Sequence, residues 1–145
     1  MTIAVPRHWR QLRLFAGRLS DMGSEALLIF DGDCGFCSTS AHWIERHWPH
    51  GTAEISPWQQ LGDEQIRALG IPRDVVATQA WWVDSDGARG GDRAITSALI
   101  AASGMWSHLG HVLDAPPMRW FTKPGYQIIS RYRYKLPGAT PACRI

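Results

Sequence analysis

Two cysteines two residues apart, in Cys34-Gly35-Phe36-Cys37, carry the clearest chemistry in this chain. They follow an apolar run, Leu27-Leu28-Ile29-Phe30, and a short polar turn, Asp31-Gly32-Asp33. That order places them where a strand gives way to a helix. A helix N-terminus favours negative charge, because its first N–H groups lack intrahelical partners and the macrodipole is positive there. A thiol so placed loses its proton more readily, and the thiolate is the reactive form. The pair reads as a redox-active dithiol. In exchange, the Cys34 thiolate attacks a disulfide to form a mixed disulfide, and Cys37 resolves it. The helical periodicity that follows puts Cys37, Ala41, Ile44 and Trp48 on one face, as core contacts are. Cys37 is therefore expected to point inward, and Cys34, at or before the first turn, to meet solvent.

The neighbours modify this chemistry. Asp33 beside Cys34 opposes the thiolate. Asp31 or Asp33 can instead take the proton from Cys37 in the second step, or the two can simply form the turn and cap the helix. Phe36 either shields the pair or touches the substrate, with Gly35 beside it. Three other readings compete. Cys34 and Cys37 could supply two zinc ligands, with His42 and His47 or Cys143 completing the set. His42 and His47 are five residues apart, however, about 140° around a helix, so they diverge. An apolar strand followed by Asp-x-Asp also resembles the opening of haloacid-dehalogenase-type phosphatases, with Asp31 as nucleophile and Asp33 as acid/base. Gly35 stands where that pattern has Thr or Val, and the later lysine and acidic pair are not evident. Lastly, the eight tryptophans could make a partner-binding module in which the dithiol is vestigial. The Cys-x-x-Cys-Ser order lacks the histidine of covalent haem attachment, and no cofactor is implied. Cys143 reads as a third redox thiol or a solvated tail residue. His108 and His111 read as surface histidines, and Arg131, Arg133 and Lys135 as a solvated basic helix end.

The elements that must position the pair follow from composition and pattern. The chain has 145 residues, 45% hydrophobic and 19% charged, enough for one packed domain. A net charge of +2, with no basic-aromatic interleaving, argues against nucleic acid. Three cysteines, an odd number, fit a reactive pair in a reducing compartment better than a stapled fold. No apolar run nears the ~20 residues of a membrane span, and a cytoplasmic location is expected. Residues 1–24 form a basic amphipathic extension, with Trp9, Leu12, Phe15, Leu19 and Met22 at helical spacing among Arg7, Arg10, Arg13 and Arg18. Such a helix can lie weakly on an anionic membrane surface or dock on the domain.

Residues 25–145 form the domain. The apolar run over 26–30 is a buried strand, followed by a helix to about residue 48. Residues 52–56 are a second strand, stopped by Pro57. Asp63 caps a short helix carrying Ile66 and Leu69, closed by Gly70. Residues 77–83 are a third strand, in which adjacent Trp81 and Trp82 face opposite sides, one in the core and one exposed or covered by the C-terminal helices. Asp84-Ser85-Asp86-Gly87 is a hairpin turn into a fourth strand over 88–90. Asp92 caps a helix with Ala94, Ile95, Ala98, Leu99 and Ala102 inward, closed by Gly104. Residues 105–145 add a C-terminal helical segment, with helices over 105–113 and 125–134 separated by Pro116-Pro117. The order predicts an α/β fold, a thioredoxin-like four-stranded mixed sheet flanked by helices with extra C-terminal helices.

The segment Asp31-Gly32-Asp33-Cys34-Gly35-Phe36-Cys37, preceded by apolar residues, resembles the DCC family of predicted thiol-disulfide oxidoreductases. The resemblance continues more softly through the 84–87 turn, Gly91-Asp92-Arg93-Ala94, and Tyr126 with Arg131-Tyr132-Arg133. It implies a thioredoxin-like fold and an oxidoreductase role, with a disulfide-bearing protein or small thiol as partner. It does not imply a particular substrate. Thioredoxins place a cis-proline before the third strand, facing the dithiol. Here the corresponding stretch, Ala77-Thr78-Gln79, has no proline, a departure from the way thioredoxins dock substrates; Gly35, Phe36 and Thr78 are the candidate substrate contacts.

Overall fold

The computed structural model describes residues 24–136. The amphipathic extension up to residue 23 and Cys143 lie outside them. Strand β1 (Ala26–Phe30) is buried along its whole length, as an uninterrupted apolar run at the middle of a sheet must be. Helix α1 (Gly35–Glu45) follows the dithiol turn and returns the chain to β2 (Ala53–Pro57), which lies parallel to β1 with Ala26 opposite Ala53. A single 3₁₀ turn (Trp58–Gln60) and α2 (Asp63–Ala68) lead to the hairpin of β3 (Trp81–Asp84) and β4 (Gly87–Gly90). Strand β3 runs antiparallel to β1, with Leu28 opposite Trp82. Helices α3 (Asp92–Ile100), α4 (Met105–Asp114) and α5 (Arg119–Tyr132) follow, then a 3₁₀ turn (Arg133–Lys135). The sheet order is β2-β1-β3-β4. Helices cover this mixed sheet in the thioredoxin-like arrangement. No helix among the described residues is long and apolar enough to cross a membrane.

Strand alternation splits the core in two. On one face Leu28, Phe30 and Trp82 pack with Ala41, Ile44 and Trp48 and with Ala94, Ala98 and Leu99. On the other, Leu27, Ile29, Trp81 and Val83 pack with Ile66, Leu69, Ile71 and Val76. Trp81 and Trp82 do face opposite sides, but both are buried. The second face is covered by α2 and the segment after it, which leaves no exposed tryptophan on β3.

Several boundaries differ from the sequence expectation, each for a local reason. Residues 77–80 form no strand, because the backbone N–H and hydroxyl of Thr78 both donate to the Val75 carbonyl, at 3.0 and 2.8 Å. These bonds close a turn instead. The caps of α2 and α3 are Gly62 and Gly91, so Asp63 and Asp92 sit one residue inside, where their charge still suits the dipole. Gly91 has φ +66°, a conformation that favours glycine. Helix α5 begins at Arg119 and runs through Pro124. The bond this proline cannot make would reach the Trp120 carbonyl; both residues are exposed, so water can serve that carbonyl. Ile95, expected inward, is 41% exposed.

Helix α4 lies on α3 through Gly110, which is buried. A Cβ there would lie 2.6 Å from the Ile100 nitrogen and 2.9 Å from the Leu99 carbonyl carbon. Backbone atoms cannot give way by changing rotamer. Gly110→Ala should therefore push α4 off α3 and cost about 1–3 kcal/mol. A denaturation midpoint unchanged from wild type would contradict this contact.

Candidate functional site

The site begins where β1 ends. One oxygen of Asp31, Oδ1, accepts the Asp33 N–H (3.1 Å) and the Gln59 side-chain amide (2.9 Å). Gln59 in turn accepts the Gly32 N–H (3.1 Å). The turn 31–33 is thus strapped to the 3₁₀ turn after β2. A Cβ on Gly32 would come within 2.7 Å of the Pro57 Cβ, so this close approach needs glycine. The Asp31 carbonyl accepts the Cys34 N–H at 3.2 Å and sets the entry into α1.

Cys34 is the N-cap of α1, with φ −92° and ψ 110°. Its sulfur accepts the Cys37 N–H at 3.4 Å. This satisfies one of the helix's first amide groups, as cap side chains do. The same bond folds the side chain back over the first turn, so that Cys34 is fully buried, at 0% exposure. The expectation that Cys34 meets solvent is therefore incorrect. Cys37 is the more accessible sulfur: it is half-buried, packs against the core beside Ala41, and opens onto a cavity. Both are free thiols here.

The Cys37 thiol is pushed up to about 12 from 9.0. Burial is the largest cause, followed by its hydrogen bond to Cys34 and the negative charge that Cys34 can carry; the Arg133 guanidinium opposes these, and Asp31 adds to them. A charge on Cys34 therefore keeps the proton on Cys37. Because the folded value lies above the unfolded one, the stability this group contributes is complete below about pH 9 and is lost as pH rises towards 12. The reduced protein should lose Tm relative to the disulfide form over that window. Burial is also the largest cause that raises the Tyr126 phenol above 10.0, and a charge on Cys37 adds to it. The burial contribution is common to both forms, so the difference between them reports Cys37 and its effect on Tyr126. A Tm difference that stays flat from pH 8 to 11 would contradict the placement of Cys37.

Two residues from the end of the described chain complete the site. The Arg133 side chain is 12% exposed, with Nη1 donating to Cys37 Sγ at 3.8 Å and Nη2 lying 4.0 Å from Asp31. It is thus not part of a solvated basic edge, because the 3₁₀ turn after α5 brings it back over α1. The Tyr126 hydroxyl accepts the Ala80 N–H at 3.1 Å, so α5 covers the backbone just before β3. Both lie in the late segment that carried the softer part of the family resemblance. Sequence spacing gave no sign that they approach residues some 40 to 100 positions earlier.

The cavity in front of Cys37 measures about 270 Å³ and is walled by Phe30, Phe36, Trp43, Leu99 and Tyr126 among others. Asp31 and Arg133 also line it. Of the residues singled out from the sequence, Cys37, Asp31 and Phe36 meet here. Gly35 lies in the first turn of α1, off the wall. Asp33 is exposed and also off the wall. Thr78 lines a shallower cleft next door with Asp92 and Lys123; Gln79 and Tyr126 border both spaces. His42 and His47 bond elsewhere, to Glu45 at 3.4 Å and to the Trp43 carbonyl at 2.7 Å.

A cysteine pair capping the first helix of this sheet defines a thioredoxin-like dithiol protein. The chain matches the model of the DCC1-like thiol-disulfide oxidoreductase family over residues 28–139, more than half its length, and belongs to that family. No curated protein and no solved structure matches it significantly.

Proposed function

We propose that the protein catalyses thiol-disulfide exchange through Cys34 and Cys37. The observation that carries this reading is the 3.4 Å bond from the Cys37 N–H to the Cys34 sulfur. It holds the two cysteines in one helical turn and provides a donor for charge on Cys34. When the pair reduces a disulfide, two electrons leave the thiols, a Cys34–Cys37 bond forms, and the substrate departs as two thiols. The reverse transfer oxidises thiols. Asp31 serves as the proton acceptor for Cys37, supported by its place on the same cavity wall and its electrostatic effect on that thiol. Asp33 contributes to the turn. The partner is a disulfide-bearing protein or a small thiol, and the setting is the cytoplasm, on the strength of the odd cysteine count.

The test is exchange between dithiothreitol and hydroxyethyl disulfide, followed with and without the protein. Turnover above the protein-free rate is expected. A folded protein that adds nothing to that rate would refute the proposal.

A further inference from the structure

The cavity beside the dithiol says what kind of molecule reaches it. We propose that it binds a small apolar thiol, which forms its mixed disulfide with Cys37 and not with Cys34. This rests on the exchange reading above and narrows its substrate.

Three observations converge. First, Cys37 lines the cavity, whereas Cys34 has no exposed surface. An incoming sulfur meets Cys37 first. Second, the cavity has about 270 Å³ and apolar walls from Phe36, Trp43, Ile95 and Leu99. An apolar cavity of roughly 150 Å³ accommodates benzene, so this one fits a ring with a short chain. The cation at its edge, Arg133, already faces Asp31 at 4.0 Å. The polar lining is limited to groups such as Ser40, Gln79, Ser130 and the Asp31–Arg133 pair, so a multiply charged thiol would bury more charge than they can serve. Third, the backbone N–H of Ala80, just before β3, is engaged by Tyr126 at 3.1 Å. An extended peptide could not pair at this point without displacing α5.

The chemistry balances. With the pair oxidised, the ligand thiolate attacks Cys37 Sγ and the Cys34–Cys37 bond breaks. Cys34 leaves as a thiolate whose charge the Cys37 N–H receives, and a better-stabilised leaving sulfur departs faster. A second ligand thiolate attacks the ligand sulfur of the mixed disulfide. The ligand disulfide departs, and the charge left on Cys37 falls 3.8 Å from Arg133. Two ligand thiols have lost two electrons and two protons, and the protein has become a dithiol. Run backwards, the same steps reduce an apolar disulfide.

The experiment uses the full chain, oxidised, and incubated with benzyl mercaptan or with glutathione. Each reaction is quenched by alkylation, and the adducts are located by peptide mass mapping. The expected result is a benzyl adduct on Cys37 with the alkyl label on Cys34. It should form at least about tenfold faster than the glutathione adduct, after correction for the reactivity of each thiol with a small disulfide, since burying several carbons is worth more than 1.4 kcal/mol. Ala98→Leu, which narrows the cavity, should reduce that preference. Equal corrected rates, or adducts on Cys34, would overturn the proposal while leaving exchange itself intact. A pair that never oxidises would remove exchange and this inference together.

Discussion

Replacing Cys34 by serine should lower dithiol–disulfide turnover by about a thousandfold or more while leaving the fold nearly unchanged. Serine is among the best N-cap residues. Its hydroxyl can accept the Cys37 N–H in place of the sulfur, which accepts it at 3.4 Å. The change thus removes the redox partner and keeps the cap. Cys37→Ser should lose activity just as completely, because the exchange needs both sulfurs. Thermal unfolding and turnover measured on the same samples check this. A Cys34→Ser protein that unfolds early would mean that the sulfur is needed for packing. One that turns over normally would mean that the pair is not the reactive group.

Trp82→Ala should cost about 3–5 kcal/mol, the range for deleting a buried aromatic. Trp82 sits on the cavity-side face of the sheet with its ring 5.6 Å from Trp48, edge to face. Its Nε1 donates to Asp84 at 2.8 Å, and Asp84 also holds Arg89. Trp48 in turn donates to the Ala98 carbonyl at 2.8 Å. Through Trp48, Trp82 thus ties β3 to the turn that follows α1 and to α3, next to the helices that wall the dithiol cavity. The loss is a large share of the 5–15 kcal/mol typical of a domain. Trp82→Phe keeps most of the ring contact and should cost clearly less. Denaturant unfolding decides the matter; a Trp82→Ala unfolding free energy within about 1 kcal/mol of wild type would contradict this core.

Much of the fold could be read from local pattern. The run Ala26–Phe30, the 84–87 turn and the helix after Cys34 are each set by residues next to one another in the chain. The two-residue spacing gave the dithiol directly. What sequence did not give depends on which surface finally covers which. Cys34 was expected in water because a cap residue usually stands at a helix's open end. Here its sulfur turns inward to reach the Cys37 N–H. Arg133 is expected in solvent because, with Arg131 and Lys135, it reads as a basic helix end that complements the dipole. A 3₁₀ turn carries it across to Cys37, 96 residues away. The helix through Pro124 is hidden for a similar reason, since proline argues against a helix interior and only an exposed carbonyl makes it tolerable.

The reversal of exposure changes the mechanism more than the fold. A sulfur with no surface cannot meet a protein disulfide in this conformation, whereas Cys37 faces a cavity open to a small molecule. On the reading we propose, Cys37 carries the mixed disulfide and Cys34 is the sulfur that leaves it.

The most direct measurement equilibrates the full chain in dithiothreitol buffers of graded potential and maps its disulfides by mass spectrometry. One reversible two-electron transition is expected, with the oxidised form joined between Cys34 and Cys37. A chain in which these two sulfurs never join at any potential, or in which either joins Cys143 instead, would contradict it.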